Sequence, residues 1–172
     1  MKKLYITAIL LGLTTQAQAE QVFATVYQLT ADGQGKNIGT ISFTDTTDGL
    51  FITEKFSNLS AGLHGIHVHE HGNCESTFID GKAVLGGGAG GHYDPQKTGQ
   101  HLGPNADGHK GDLPVLMVKS DGTVENSFYL KNVTTADFKG RSVIIHEGSD
   151  NYKDEPKPLG GGGNRIACGV IK

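Results

Sequence analysis

Apolar and polar residues alternate in short runs along most of the chain, and residues that favour turns separate the runs. Residues 22–29 are rich in β-branched and aromatic side chains, and Asp32-Gly33-Gln34-Gly35 reads as the turn that follows. Residues 36–45 and 50–56 form the next pair, split by Asp48-Gly49. A fourth strand is expected near 65–71. Residues 113–119 and 124–130 flank Asp121-Gly122, a strong hairpin signal. Residues 141–147 and 165–171 complete eight strands, and no segment carries a helical period. The pattern predicts an all-β fold, an eight-stranded antiparallel sandwich or closed barrel.

Two intervals break the pattern, 72–112 and 148–164, and neither has a clear period. Structureless loops of that length are unusual inside a compact domain and commonly carry function. Glycine supplies 26 of the 172 residues, about twice the usual share of roughly 7%. Even so, the regular strand signals describe a loop-rich globular chain. That glycine content also excludes a long coiled coil. A formal net charge of −3 leaves no basic footprint for a nucleic-acid partner.

The first nineteen residues read as an address. Lys2 and Lys3 precede the mostly apolar stretch 4–13, and Ala17-Gln18-Ala19 gives the small-x-small pattern of a cleavage site. The apolar run is too short to span a bilayer. Cleavage is expected after Ala19, leaving one domain, 20–172, with no membrane segment. Export to an oxidising compartment favours a disulfide over free thiols for Cys74 and Cys168.

All eight histidines fall between positions 64 and 146. His67 and His69 form an H-x-H pair in a strand, whose period of two puts both imidazoles on one face. His146 ends the apolar run Val143-Ile144-Ile145. His92, His101, His109 and Asp112 lie in the first long interval, and three imidazoles with one carboxylate make a sound tetrahedral zinc set. Any one of these taken alone suits a hydrogen-bonded core or surface histidine, but their grouping favours metal.

The segments GLHGIHVHEHGNC (62–74), GGHYDPQKTGQH (90–101), GHKGDLP (108–114), RSVIIHEGSDNY (141–152) and KPLGGGGNRIACGVI (157–171) resemble those of the copper–zinc superoxide dismutases, in particular their bacterial periplasmic branch. The resemblance implies a Greek-key barrel with two long functional loops, one copper and one zinc per subunit, and superoxide as substrate. It implies copper on His67, His69, His92 and His146. It implies zinc on His92, His101, His109 and Asp112, with His92 shared. It also implies a disulfide between Cys74 and Cys168, an active-site role for Arg165, a carboxylate of Asp150 linking a copper-side to a zinc-side histidine, and a structural His64.

The chemistry asks for the same parts. Dismutation needs a metal that accepts and donates one electron, which zinc cannot do, whereas imidazoles suit copper. Arg165 carries a permanent charge and several fixed donors for a small anion. His71 departs from the family pattern and is expected to be an exposed polar residue. Lys82, Lys97, Lys110 and Lys153 are candidates to steer an anion onto a net-negative chain. A copper store or delivery module would explain the histidines without turnover, and a structural zinc domain would leave His67, His69 and His146 without purpose. The mature chain is expected as a monomer or homodimer.

Overall fold

The computed structural model describes residues 20–172, so the expected leader and its cleavage point after Ala19 lie outside the described residues. Eleven strands are present: β1 (Gln21–Thr30), β2 (Gly33–Thr46), β3 (Gly49–Phe56), β4 (Gly62–His64), β5 (Ile66–His69), β6 (Thr77–Ile79), β7 (Lys82–Val84), β8 (Leu116–Val118), β9 (Val124–Leu130), β10 (Ser142–His146) and β11 (Arg165–Val170). Seven of them make an antiparallel sheet in the order β5-β10-β11-β1-β2-β3-β9. The chain therefore crosses from β9 at one edge to β10, next to the other edge. β4 pairs with β8 in a separate ribbon. Because β4 runs into β5 and β8 leads into β9, this ribbon lies between the two edges and curls the sheet into a barrel.

All eight expected strands occur, but three details differ. The expected turn at 32–35 shifts, because β2 already begins at Gly33. The interval 72–112 is not wholly irregular, since β6 and β7 form a short hairpin inside it. A four-residue helix, α1 (Thr135–Phe138), lies where no helix was expected. Its N-terminal end is held by Asp137, whose carboxylate accepts from both the N–H and the hydroxyl of Thr134, a local device too short to leave a period.

The core follows from alternation. Val22, Ala24 and Val26 of β1, Ile41 and Phe43 of β2, and Leu50, Ile52 and Phe56 of β3 point inward and are buried. Glu54 shares that inward row and is fully buried. Its Oε2 accepts a long hydrogen bond from Asn126 Nδ2 at 3.4 Å, and its Oε1 has no partner. Burial pushes this carboxyl up to about 8.

β5 and β10 differ from the other strands in being buried on both faces. Ile66, Val68, Val143 and Ile145 join the main core. Ile144 packs outward against Ala89 and Cys168. The loops cover that outer face, and the disulfide Cys74–Cys168 (Cα–Cα 5.8 Å) ties the first loop to β11.

Candidate metal centre

His67 and His69 project from the outer face of β5, and His146 projects from the same face of β10. The register explains this, because His67 lies opposite Ile144 and His69 opposite Ser142. At the end of β10 the pairing slips, so that His146 faces Arg165 rather than Ile166. Irregularities of this kind re-aim side chains next to functional sites. The free edge of β5 is capped by the first loop. Val68 N–H donates to Gly111 O at 2.8 Å, and Tyr93 N–H donates to Val68 O at 2.9 Å. Those two bonds bring His92 and Asp112, their chain neighbours, alongside β5, with His69 facing His92 and His67 facing Asp112.

The result is a buried cluster. His67, His69, His92 and His146 offer ring nitrogens within 4.8 Å of one another. Ring nitrogens of His67, His92 and His101 gather as closely with an Asp112 carboxylate oxygen, a group that takes in His67 and leaves His109 outside it. The His67 and His92 rings stack at 3.9 Å between centroids, and His109 lies 5.3 Å from His92. His109 Nδ1 is 3.6 Å from Asp112 Oδ1. His71 is exposed and belongs to neither group.

Hydrogen-bond acceptors fix which nitrogen of each ring is free. His69 Nδ1–H donates to Gly90 O at 3.0 Å, and His146 Nδ1–H donates to Gly163 O at 3.3 Å. His67 Nε2–H and His101 Nε2–H donate to the two oxygens of Asp150, at 2.7 and 2.8 Å. A carbonyl or carboxylate can only accept, so the proton sits on the bonded nitrogen and the opposite one keeps its lone pair. Three of those opposite atoms, His67 Nδ1, His69 Nε2 and His146 Nε2, are buried without a hydrogen-bond partner, while His101 Nδ1 and His109 Nδ1 face the Asp112 carboxylate at 3.0 and 3.6 Å. Buried polar atoms are ordinarily paired, and three orphaned ring nitrogens beside two more that share one carboxylate fit a metal pair.

Charge points the same way. Burial pushes His92 down to about 4 and His146 to about 3, and it lowers His67 and His69 as well. Such rings stay neutral, the form that ligates metals. Burial also acts on His101, but the Asp112 and Asp150 carboxylates on either side outweigh it and lift the ring to about 9. Burial would raise Asp112, yet His101, His109 and His92 hold it well below the usual carboxylate range. Asp150 is held low in the same manner by His101 and His67. Two buried carboxylates beside these rings are a demand for a cation.

Arg165 is half-buried, and both of its terminal nitrogens are pinned, Nη1 to Gly86 O and Nη2 to Gly90 O, each at 2.6 Å. Its charge helps to depress His69 and His146, which places it on their side of the cluster. Arg165 also lines a groove of about 530 Å³ with Leu29, Val84, Glu147 and Asn164. His64 stands behind the cluster. Its Nδ1–H donates to His146 O at 2.8 Å, and its Nε2 lies 2.9 Å from Ser60 O. Of the lysines, 82, 97 and 153 are exposed, while Lys110 Nζ donates to Asn132 O.

Sequence reasoning overlooked Arg141, whose guanidinium lies 3.6 Å over the Tyr93 ring and donates to Glu70 O. That clamp holds the loop end next to His92 onto the end of β5. No spacing signal marks it.

Comparison with known proteins gives one answer. The family model for copper/zinc superoxide dismutase matches residues 37–171. The chain is 44% identical to the Photobacterium leiognathi superoxide dismutase [Cu-Zn], with 99% of this chain and 98% of that relative covered. It is also 44% identical, over the full length of both, to superoxide dismutase [Cu-Zn] 2 of Salmonella typhimurium. The Cu/Zn superoxide dismutase structure from Brucella abortus superposes with a TM-score of 0.84 at 45% identity, covering 89% of this chain and all of that one. The solution structure of the monomeric enzyme from Salmonella enterica gives 0.75 at 45% identity, covering 90% and 100%. A roofed face of a β-barrel, a disulfide-tied loop and paired histidine groups therefore come with full-length kinship, and the chain belongs to the copper/zinc superoxide dismutase family.

Proposed function

We propose that copper is held by His67, His69, His92 and His146, and zinc by His92, His101, His109 and Asp112, with His92 common to both. The observation that supports this reading is the set of unpaired ring nitrogens on His67, His69 and His146 on one side of the His92 ring and the Asp112 carboxylate facing His92, His101 and His109 on the other. His92 Nδ1 lies 3.1 Å from Asp112 Oδ1, which supports zinc on that side of the ring and copper on the other. A bound copper ion supplies one-electron redox chemistry, and a zinc ion, which has none, supplies fixed positive charge.

The protein's own groups do the rest. Arg165 draws superoxide down the groove and orients it beside His69 and His146. One superoxide gives up an electron and leaves as dioxygen. The other accepts that electron with two protons and leaves as hydrogen peroxide. His92 Nε2 holds and hands over one of these protons, and solvent provides the second. Asp150 keeps His67 and His101 in the tautomers that leave Nδ1 free. His64 braces His146 through the backbone.

Anomalous diffraction at the copper and zinc edges, on crystals of the metal-loaded oxidised protein, tests the assignment. Two ions with His92 between them are expected. Two ions with no common ligand would refute it.

The chain is further read as one domain over 20–172, exported to the periplasm after cleavage behind Ala19. Bacterial relatives that align along their whole length, together with the basic and apolar N-terminal sequence, support this. N-terminal sequencing of the protein recovered by osmotic shock should begin at Glu20. The solution structure of the Salmonella relative is of a monomer, and monomer or homodimer is the state proposed for this chain. Sedimentation separates the two.

A further inference from the structure

We propose that Asp154 and Tyr152 are positioning residues for zinc, gripping from outside the loop that carries His101 and Asp112. The inference rests on the zinc assignment above. It starts from an asymmetry between the two ligand groups. His67, His69 and His146 stand on strands whose ladders fix them. His101 stands on a loop that has no strand or helix between Gly90 and Leu116, and the bonds to β5 hold that loop only beside His92 and Asp112. Ordering such a segment is entropically unfavourable, so something outside it must hold its backbone.

The second loop does so at two points. Asp154 Oδ2 accepts a hydrogen bond from the backbone N–H of His101 at 3.0 Å, while its Oδ1 accepts from Leu159 N–H at 3.2 Å. One carboxylate thus ties a zinc-side residue to the turn before Gly160. At Gly160 a Cβ would overlap Asp150 Oδ1 and crowd His101 Nε2, so this turn presses directly on the Asp150–His101 pair.

Tyr152 makes the second grip. Its backbone takes a left-handed φ of 58°, which folds the ring back over Gly103, where a Cβ would lie 2.7 Å from the ring's Cγ. Gly103 N–H in turn donates to Asp112 Oδ2 at 3.1 Å. The phenol oxygen accepts from Val115 N–H at 2.9 Å, and the Tyr152 N–H donates to Asp150 Oδ1 at 2.7 Å. The ring is wedged between the residue that orients one zinc-side carboxylate and the strand end that follows it. Neither Asp154 nor Tyr152 bonds His67, His69, His92 or His146, and the Tyr152 link to Asp150, which holds His67, is a backbone bond that a side-chain substitution keeps, so the effect of the variants falls on zinc rather than on copper.

The test uses the full mature chain carrying both metals. Zinc affinity is read by competition with a chromophoric chelator, copper affinity is read separately, and cobalt placed in the zinc position reports its coordination by its visible absorption. Asp154→Ala and Tyr152→Ala should each weaken zinc roughly tenfold, at the lower end of the 10–100-fold effects of residues that orient metal ligands. Both should alter the cobalt band and leave copper affinity within about twofold. Tyr152→Phe keeps the ring and should approach wild type. Asn151→Ala serves as the control. It removes hydrogen bonds confined to the same loop, to Glu155 O and from Lys153 N–H, and should leave zinc affinity and the cobalt band unchanged. If Asp154→Ala folds poorly, Asp154→Asn, which keeps one acceptor oxygen, replaces it with a smaller effect of the same sign. Unchanged zinc affinity in both alanine variants, or an equal loss in Asn151→Ala, overturns the proposal. If cobalt in the wild-type chain shows no tetrahedral band, the zinc assignment itself has failed.

Discussion

Glu54 sits in a row of inward-facing side chains between Ile52 and Phe56, fully buried, with one oxygen unpaired. Burial lifts its carboxyl from 4.5 to about 8. Between those values the unfolded chain has released this proton and the folded chain still holds it. Stability therefore falls as pH rises, by about 1.4 kcal/mol per unit, and levels off above the folded value. Glu54→Gln keeps the shape and the Asn126 contact but cannot ionise. Relative to wild type it should gain about 4 kcal/mol between pH 5 and pH 9, an upper figure if the strand edge relaxes around the charge. Guanidinium unfolding of both metal-loaded proteins at pH 5, 7 and 9 measures this. Histidine titration and metal release are common to the two chains and cancel in the difference. If the gap between the curves is the same at all three pH values, the carboxyl ionises equally in the folded and unfolded chains and the reasoning fails.

Three further outcomes follow from the site. Asp150→Ala removes the acceptor that fixes both His67 and His101, and zinc affinity by chelator competition should fall roughly 10–100-fold. Arg165→Leu should lower kcat/KM about tenfold or more and flatten its dependence on ionic strength, measured by pulse radiolysis. An unaltered salt profile would remove Arg165 from anion attraction. Cys74→Ser opens a 94-residue cross-link, and unfolding free energy should drop by about 4–5 kcal/mol if chain entropy dominates.

Much of the barrel is legible in the sequence because period-two alternation and the Asp-Gly turns are local signals. Three elements were not. β4 precedes the strand expected near 65–71 and is cut from β5 at Gly65, whose N–H turns away to Gly148 O, and at three residues it is too short to show a period. The β6–β7 hairpin has arms of three residues, too short to show a period. α1 exists through its cap rather than through an amphipathic face. The histidine grouping was visible as composition and spacing. What brings His92 and Asp112 to β5 is a set of backbone bonds between distant segments, and these leave no trace in spacing. The free nitrogen of each ring depends on acceptors such as Gly90 O and Gly163 O, which are main-chain atoms and therefore invisible in residue identity. Glu54 was open to reading only as a violation, a charged residue on the apolar side of a strand.

The carbonyl oxygen of Gly90 accepts from both His69 Nδ1 and Arg165 Nη2. A single atom is thus the common footing of a ring that faces the metal and a cation that faces solvent. An incoming anion that tugs the guanidinium outward loads the same peptide unit that steadies the imidazole, so capture at the rim is felt mechanically at the centre. A side chain at this position is strained, because φ stands at 77° and ψ at −155°, a conformation open essentially to glycine. The two functions cannot be adjusted independently by substitution at residue 90.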